Sequence, residues 1–311
     1  MTGMNVVTMG VHVLDVHVRP VEGIPEGNEG QIVDEIMMSA AGTAGGTATI
    51  LRKLGASVRS FGAVGKDPLG ETLVSLLAAA GVDTTHLVRR GAVQTSASVL
   101  PVRPNGDRPA WHCIGANGVY TVDDVDLDEI AAATHLHLGG PEFLGGESAA
   151  KVLSHARSNG VVTSVDMLAP GEPSMLEWVE AALPHTDYFL PNDEQLLGLT
   201  GADSLEKAGR VILDKGAGCV AVTRGAQGAL VVTADETIAV PAFDVEVVDT
   251  TGCGDAFSAG FLRGLALGKD LRESAVLGSA TAAIVAQGLT TDHGEVDLVT
   301  VERLAAETPT R

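Results

Sequence analysis

The run Asp249–Gly264, DTTGCGDAFSAGFLRG, holds the residues best suited to chemistry. Gly252, Cys253 and Gly254 form a glycine-rich turn directly before Asp255, and an apolar, small-residue segment follows. Main-chain N–H groups from such a turn, backed by a helix N-terminus, make a pocket for negative charge. An aspartate in the same turn can take a proton from a nearby hydroxyl. One short segment thus offers both requirements of phosphoryl transfer, an anion cradle and a base. Behind it Gly260, Gly264 and Gly268 recur every fourth residue, which on a helix makes a stripe of small residues. Glycine inside a helix costs roughly 1 kcal/mol against alanine. Close packing at Gly260 and Gly264 is the expected compensation.

The elements that must position this segment are legible around it. From about residue 120 the chain alternates strand and helix patterns. Strands are expected at His135–Leu138, Val161–Asp166, Tyr188–Leu190, Cys219–Thr223 and Ala229–Thr233. Helices are expected at Gly146–Ser158, Glu194–Leu199, Ser204–Lys215, Gly254–Leu267 and Leu271–Ala286. Such alternation predicts a mostly parallel sheet with helices on both faces, and ligands beyond its C-terminal strand ends.

The first third reads differently. Met4–Leu14 is a buried first strand, and Asp15 stands where the apolar run gives way to alternation. Gln31–Met38 is a returning strand. Gly42–Leu54 becomes a helix that stops at Gly55, Val58–Val64 is a strand, and Asp67–Ala80 is a helix closed by Gly81. Thr95–Val102 and Arg108–Ile114 alternate on either side of Pro104-Asn105-Gly106-Asp107, where Asn-Gly favours the positive φ values of a tight hairpin turn. The early strands and this hairpin are expected to form a small sheet apart from the main body. The organisation expected is one domain over 1–311, with the small-sheet segments, about 15–38 and 92–118, inserted into it.

Composition narrows the function. Hydrophobic residues make up 45% of the 311 and aromatics 3%, so a sizeable core must be built from Ala, Val, Leu and Ile. A net charge of −20 argues against a nucleic-acid partner. Cys113, Cys219 and Cys253 are far apart, which suits neither a zinc site nor a disulfide framework. The start MTGMNVVTMG has no basic segment before a long apolar run, and no apolar stretch is long enough to span a bilayer. A cytoplasmic protein with no membrane partner is expected. The sequence contains no GxxxxGK[ST], no GxGxxG after a strand, no HExxH and no GxSxG.

Asp249-Thr250-Thr251-Gly252-Cys253-Gly254-Asp255-Ala256-Phe257 resembles the C-terminal signature DTxGAGDxF of the ribokinase-like, or PfkB-type, carbohydrate kinases, with Cys in place of Ala. The resemblance implies a three-layer sandwich around a mostly parallel sheet, plus a small β-sheet lid. It implies Asp255 as catalytic base and the Gly252, Cys253 and Gly254 amides as anion hole, acting on ATP with Mg2+. Thr223-Arg224-Gly225-Ala226-Gln227-Gly228 resembles the family's nucleotide-bordering TxGxxG loop, which implies nucleotide contacts at Thr223, Gly225 and Gly228, with Thr250 and Asn192 beside them. Ala282–Gly288 resembles the small-residue helix that lies against adenine. Asn192-Asp193-Glu194-Gln195 is similar to the NxxE motif that holds metal waters, but Gln195 stands where Glu is usual. Water-mediated metal contact then falls to Glu194 or Gln195. The family often places a monovalent cation, K+, beside the anion hole, for which backbone oxygens near Asp249 and Thr251 are the candidates here.

At the acceptor end, Asp15 matches an aspartate that binds sugar hydroxyls, and Gly42, Thr43 and Gly46 lie in the counterpart of a glycine-rich sugar signature. Gly46 stands where the family usually has Asn. His112, on the lid, is a further substrate candidate. Asp166, ending a strand, touches metal waters or substrate, or caps a turn. The expected activity is phosphorylation of a small sugar or sugar-like alcohol by a homodimer joined through the lid. A nucleoside kinase of the same fold is the runner-up, and a non-catalytic sugar-binding protein the rival. A phosphorylated sugar is disfavoured because Gly42–Ala48 carries no Lys or Arg, although Arg103 and Arg108 sit on the lid.

Overall fold

Val6 in the first strand faces one apolar layer while Val7 and Met9 face another, and Ala221 against Val220 and Val222 repeats the division. A strand buried on both faces needs cover on both sides. The computed structural model supplies it; it describes residues 3–311, so Met1 and Thr2 of the N-terminal segment read above lie outside the described residues. The strands are β1 (Asn5–Gly10), β2 (Val13–Arg19), β3 (Glu35–Ala41), β4 (Ser57–Gly65), β5 (Asp83–Arg90), β6 (Ala97–Pro101), β7 (Trp111–Cys113), β8 (His135–Gly139), β9 (Val162–Asp166), β10 (Tyr188–Phe189), β11 (Cys219–Thr223), β12 (Ala229–Val232) and β13 (Thr237–Val240). The α-helices are α1 (Gly45–Lys53), α2 (Pro68–Ala79), α3 (Leu127–Ala131), α4 (Pro141–Leu144), α5 (Gly146–Ser158), α6 (Leu176–Val179), α7 (Asp193–Thr200), α8 (Leu205–Asp214), α9 (Cys253–Ala266), α10 (Leu271–Val285) and α11 (Leu298–Glu307).

Among the described residues nine strands form one sheet in the order β13-β12-β11-β10-β9-β8-β1-β4-β5, with antiparallel pairing only at β11–β12 and β12–β13. Helices α1, α2, α9, α10 and α11 cover one face with Ile50, Leu73, Phe261, Leu277 and Val301. Helices α3, α5, α7 and α8 cover the other with Ile130, Leu153, Leu196 and Ile212. The three-layer arrangement expected from alternation is therefore present. Strand order reverses at β1, since β4 and β5 extend to one side and β8 to β11 to the other. The crevice at such a reversal, beyond the C-terminal strand ends, is where ligands bind in sheets of this kind.

A second sheet, β3-β2-β6-β7, stands apart. Its path corrects two expectations. Met4–Leu14 is not one strand: β1 ends in the large sheet at Gly10, φ 116°, and β2 begins in the small one. A Cβ at Gly10 would meet the Gly139 carbonyl oxygen at 2.0 Å, so only glycine allows the break. Both halves are buried, which is why hydropathy alone reads them as continuous. The hairpin between β6 and β7 is also not a two-residue turn. Arg103 N–H donates to Asp107 O (2.8 Å) around the three-residue loop Pro104–Gly106, and only Gly106 has positive φ. Helix α1 starts at Gly45, because Gly42 takes φ 85° and holds the preceding residues as a loop. The edge strand β5 (DTTHLVRR), β13, α3 and α11 were not anticipated.

The glycine stripe meets α10. A Cβ on Gly260 would lie 2.5 Å from Thr281 Oγ1 and 2.8 Å from Gly278 Cα, and one on Gly264 would lie 2.8 Å from Ser274 Cα. Gly268 is not part of the stripe, because it lies beyond the end of α9 at φ 81°. Gly260→Ala is expected to destabilise the fold by about 1–3 kcal/mol in denaturant titration, overpacking outweighing the helix-propensity gain. A variant more stable than the parent would show that the helices can part at no cost.

Candidate active site

Gly252, at φ 78°, begins α9, and a Cβ there would sit 2.6 Å from Thr291 Cα. Among the described residues the N–H groups of Gly252, Gly254 and Asp255 donate no hydrogen bond, whereas that of Cys253 is spent on Thr250 O at 3.2 Å. The amides available to an anion are therefore those of Gly252, Gly254 and Asp255. This corrects the expected set, because Cys253 closes the turn instead. Its Sγ faces Ala282 O on α10 at 3.6 Å, and burial pushes the thiol up to about 12.

Asp166 and Asp15 lie near Asp255, and Glu142 lies near Asp166. Asp166, at the end of β9, accepts from Met167 N–H (2.7 Å) and from Ser258 Oγ on α9 (3.2 Å). Burial raises it to about 7, with Glu142 adding to the rise. Glu142, which sequence reasoning missed, accepts from Leu168 and Ala169 N–H at 2.8 Å each, while its buried Oε2 has no partner. It lies in the four-residue helix α4, and no motif in the sequence marks it. Burial pushes Asp255 well above the carboxylate range, the charges of Asp166 and Asp15 add to this, and Arg108 opposes it. Asp15 is raised as well, by burial, against the pull of Ser98, His17, Arg108 and His112.

This cluster has a consequence for the ligand-free protein. The folded state holds the Asp166 proton between its ordinary pKa and about 7, where the unfolded chain has released it. Stability contributed by that proton is complete at pH 4 and is lost as pH rises through 7. Asp249, whose pKa is lowered, acts only below this window. Asp255, Asp15 and Glu142 are raised in the same direction and add to the same slope, so unfolding free energy measured in EDTA is expected to fall between pH 4.5 and 7.5, and Asp166→Asn to remove its own share of that fall, roughly 2–4 kcal/mol. An equal slope in the variant would place the proton elsewhere.

The small sheet presents its inner face to these groups. Asp15, Ser98 and His112 lie in register across β2, β6 and β7, with His112 Nδ1 3.0 Å from Ser98 Oγ. On the same face His17 Nδ1 lies 3.3 Å from Asp249 Oδ2, both side chains fully buried, and His17 Nε2 lies 2.9 Å from Ser39 Oγ. Asp249 Oδ1 accepts from Thr251 N–H (2.9 Å) and Oγ1 (2.7 Å). Burial pushes Asp249 up, but the His17 ring and the Thr251 hydrogen bonds outweigh it and leave the carboxyl below its ordinary value. Oδ1 is thus spent on Thr251, while Oδ2 has only the His17 ring beside it and no hydrogen-bond partner.

Thr43, Asn192, Thr223, Gly225, Gly228, Thr250 and Asp255 all line one cleft of about 660 Å³. Asn192 pairs with Thr223 in a parallel bridge that aligns the two loops. The far wall is apolar, with Phe243, Val245, Val247, Ala282, Ala283 and Ala286. His137, lowered to about 4 by burial, braces the Thr43 loop, its Nε2 3.1 Å from Thr43 O. Gly42 and Gly46 do not line the cleft. Gly42 bends the loop against Val11, and Gly46 backs the Asp255 carboxylate, with Oδ2 2.3 Å from where a Cβ would sit. The metal expectation at Glu194 and Gln195 also needs correcting. Glu194 is exposed outside the cleft. Gln195 completes a capping box with Asn192 (2.8 and 3.0 Å) and donates to Met167 O and Ala169 O (2.9 and 3.1 Å), so its polar atoms are committed to the fold. A roomier depression of about 850 Å³ opens at the other ends of β9 to β11, away from the anion turn.

The sequence and the fold are shared with known proteins. Residues 6–296 match the pfkB family of carbohydrate kinases. An uncharacterized sugar kinase of Archaeoglobus fulgidus is 32% identical over 238 residues, 75% of this chain and 92% of that protein. An ATP-dependent ribose-1-phosphate kinase of Halopiger xanaduensis is 30% identical over 272 residues, 88% of each chain. Among solved structures, an E. coli ribokinase II candidate in complex with ATP and Mg2+ superposes with a TM-score of 0.82 at 25% identity, over 97% of this chain and 99% of that one.

Proposed function

Because the chain belongs to the pfkB family of carbohydrate kinases, we propose that it transfers the γ-phosphoryl group of ATP to a hydroxyl of a small sugar or sugar-like alcohol, with Asp255 as the base. The observation that carries this reading is the placement of the Asp255 carboxylate between the free amides at the start of α9 and the polar inner face of the small sheet. ATP lies along the Thr223–Gly228 loop with its base against Ala282, Ala283 and Phe243. Asp15, Thr43 and His112 hold the acceptor. Asp255 takes the hydroxyl proton as the oxygen attacks the γ-phosphorus, the bond to the bridging oxygen breaks, and ADP leaves. The amides of Gly252, Gly254 and Asp255 receive the developing charge.

The buried carboxylates suit Mg2+, a hard cation that takes oxygen ligands and keeps several waters. Asp166 and the unpartnered Oε2 of Glu142 would hold it, the latter through water. Bound there, the ion supplies neutralising charge to the ATP phosphates. Among the described residues no three His, Cys, Asp or Glu side chains form a metal cluster.

The small sheet acts as the lid, and its outer face fits a second copy of the chain. Val16, Met38, Val99 and Trp111 lie in register there, with Trp111 56% exposed. Light scattering on the purified protein reads the homodimer directly. No helix among the described residues is long and apolar enough to cross a membrane. ADP release with Mg2+ and a panel of pentoses, hexoses, sugar phosphates and nucleosides tests the activity. A nucleoside as best acceptor would favour the runner-up, and ligand binding without ADP would favour a binding protein.

A further inference from the structure

One cation enters the cleft from the lid. Arg108 stands between the Pro104–Gly106 turn and β7, on the strand leading back into the small sheet. Its Nε lies 3.3 Å from Thr250 Oγ1 and 3.7 Å from Asp249 Oδ1, and the side chain is 37% exposed. Among the described residues its two terminal nitrogens make no hydrogen bond, so the Nε anchor leaves the rest of the guanidinium open to the cleft it lines. The other arginine lining the cleft, Arg311, is paired with Asp244 at 2.7 Å and is thereby occupied. Asp166, Asp255 and Thr250 line the same space. A single free guanidinium beside three unprotected helix-terminal amides completes a site for a doubly charged phosphoryl group. The contact is also borne by a separate sheet. The hairpin touches the catalytic loop through Arg108, with Gly106 close by Val248 O at 3.8 Å from its built Cβ.

We infer that Arg108 is a catalytic residue that the lid brings to the anion turn, where it pairs with the phosphoryl group in flight. This rests on the kinase reading above, and it gives the lid's Arg108 a role at the transferred phosphoryl group. It also makes phosphate stabilisation depend on the lid being down, which links acceptor coverage to transfer. An anionic group on the acceptor is the other source of phosphate chemistry within reach, and the experiment separates the two.

With the best acceptor from the panel, kcat and both KM values are measured for Arg108→Ala, Arg108→Lys and Arg108→Gln, alongside calorimetric binding of ADP with and without aluminium fluoride. The guanidinium is partly solvated, so Arg108→Ala is expected to lower kcat on the order of tenfold, with both KM values within about threefold. Arg108→Lys recovers part of the rate, millimolar guanidinium ion restores part of it to Arg108→Ala, and aluminium fluoride no longer tightens ADP binding. Unchanged kcat overturns the inference. So does a loss confined to acceptor KM, which assigns Arg108 to an anionic acceptor. Thermal unfolding checks the fold, and the Gln variant, which keeps the Nε-side contact, replaces Ala should Ala unfold. A parent protein that releases no ADP with any acceptor fails the kinase reading itself, while a parent active beside an equally active Arg108→Ala fails this inference alone.

Discussion

Asp255→Asn is expected to lower kcat roughly a thousandfold, the range that general-base assistance supplies, while leaving ATP and acceptor binding close to the parent's. The substitution keeps side-chain volume and removes only the capacity to accept the hydroxyl proton. It should also stabilise the protein near pH 7.5. Asp255 is raised well above the carboxylate range by burial and by the charges of Asp166 and Asp15, so the ionised form opposes folding there and the neutral amide does not. Faster denaturation is the common cause of lost activity in variants, and here the two effects run in opposite directions. Initial rates at saturating substrates, together with thermal unfolding, read both. A rate within tenfold of the parent would falsify the assignment of the base.

Gly46→Ala is the second large effect, and it acts through the same carboxylate without touching it chemically. A Cβ at position 46 would lie 2.3 Å from Asp255 Oδ2 and 2.9 Å from its Cγ. The obstructing atoms are the end of a flexible side chain, so the carboxylate swings aside and the backbone stays. Gly46 lies in α1, where alanine is favoured by roughly 1 kcal/mol. The fold should hold or gain stability, while kcat falls roughly a hundredfold, as an ångström-scale misplacement of a reacting group costs. Stopped turnover with loss of structure would instead mean that α1 itself cannot accept the methyl. Full activity would mean that the observed position of Asp255 is not the reactive one.

The relation between Gly46 and Asp255 was out of reach of the sequence. The two residues are 209 positions apart, and the signature around Gly46 reads as an altered sugar contact. Only the crossing of α1 against α9 shows that the missing side chain makes room for the Asp255 carboxylate. The same holds for Gln195. Its place in the motif suggested a weakened metal contact, whereas its partners, Asn192, Met167 and Ala169, show a brace within the fold. Glu142 and Arg108 stand outside any signature, and only the fold brings Glu142 beside Asp166 and Arg108 into the cleft.

What the sequence determined by itself was local and periodic. Strand and helix patterns beyond residue 120 dictated a covered parallel sheet, because strands that alternate with helices lie side by side in parallel and are covered on both faces. The Gly252–Asp255 turn pointed to a candidate anion cradle and base, since glycine spacing and an adjacent carboxylate are visible over four residues. Tertiary structure alone decided which amides remain free, which carboxylates crowd Asp255, and which cation the small sheet extends toward them. Those are through-space quantities. Desolvation and charge coupling depend on which distant segments come within a few ångströms, and no local pattern encodes that distance.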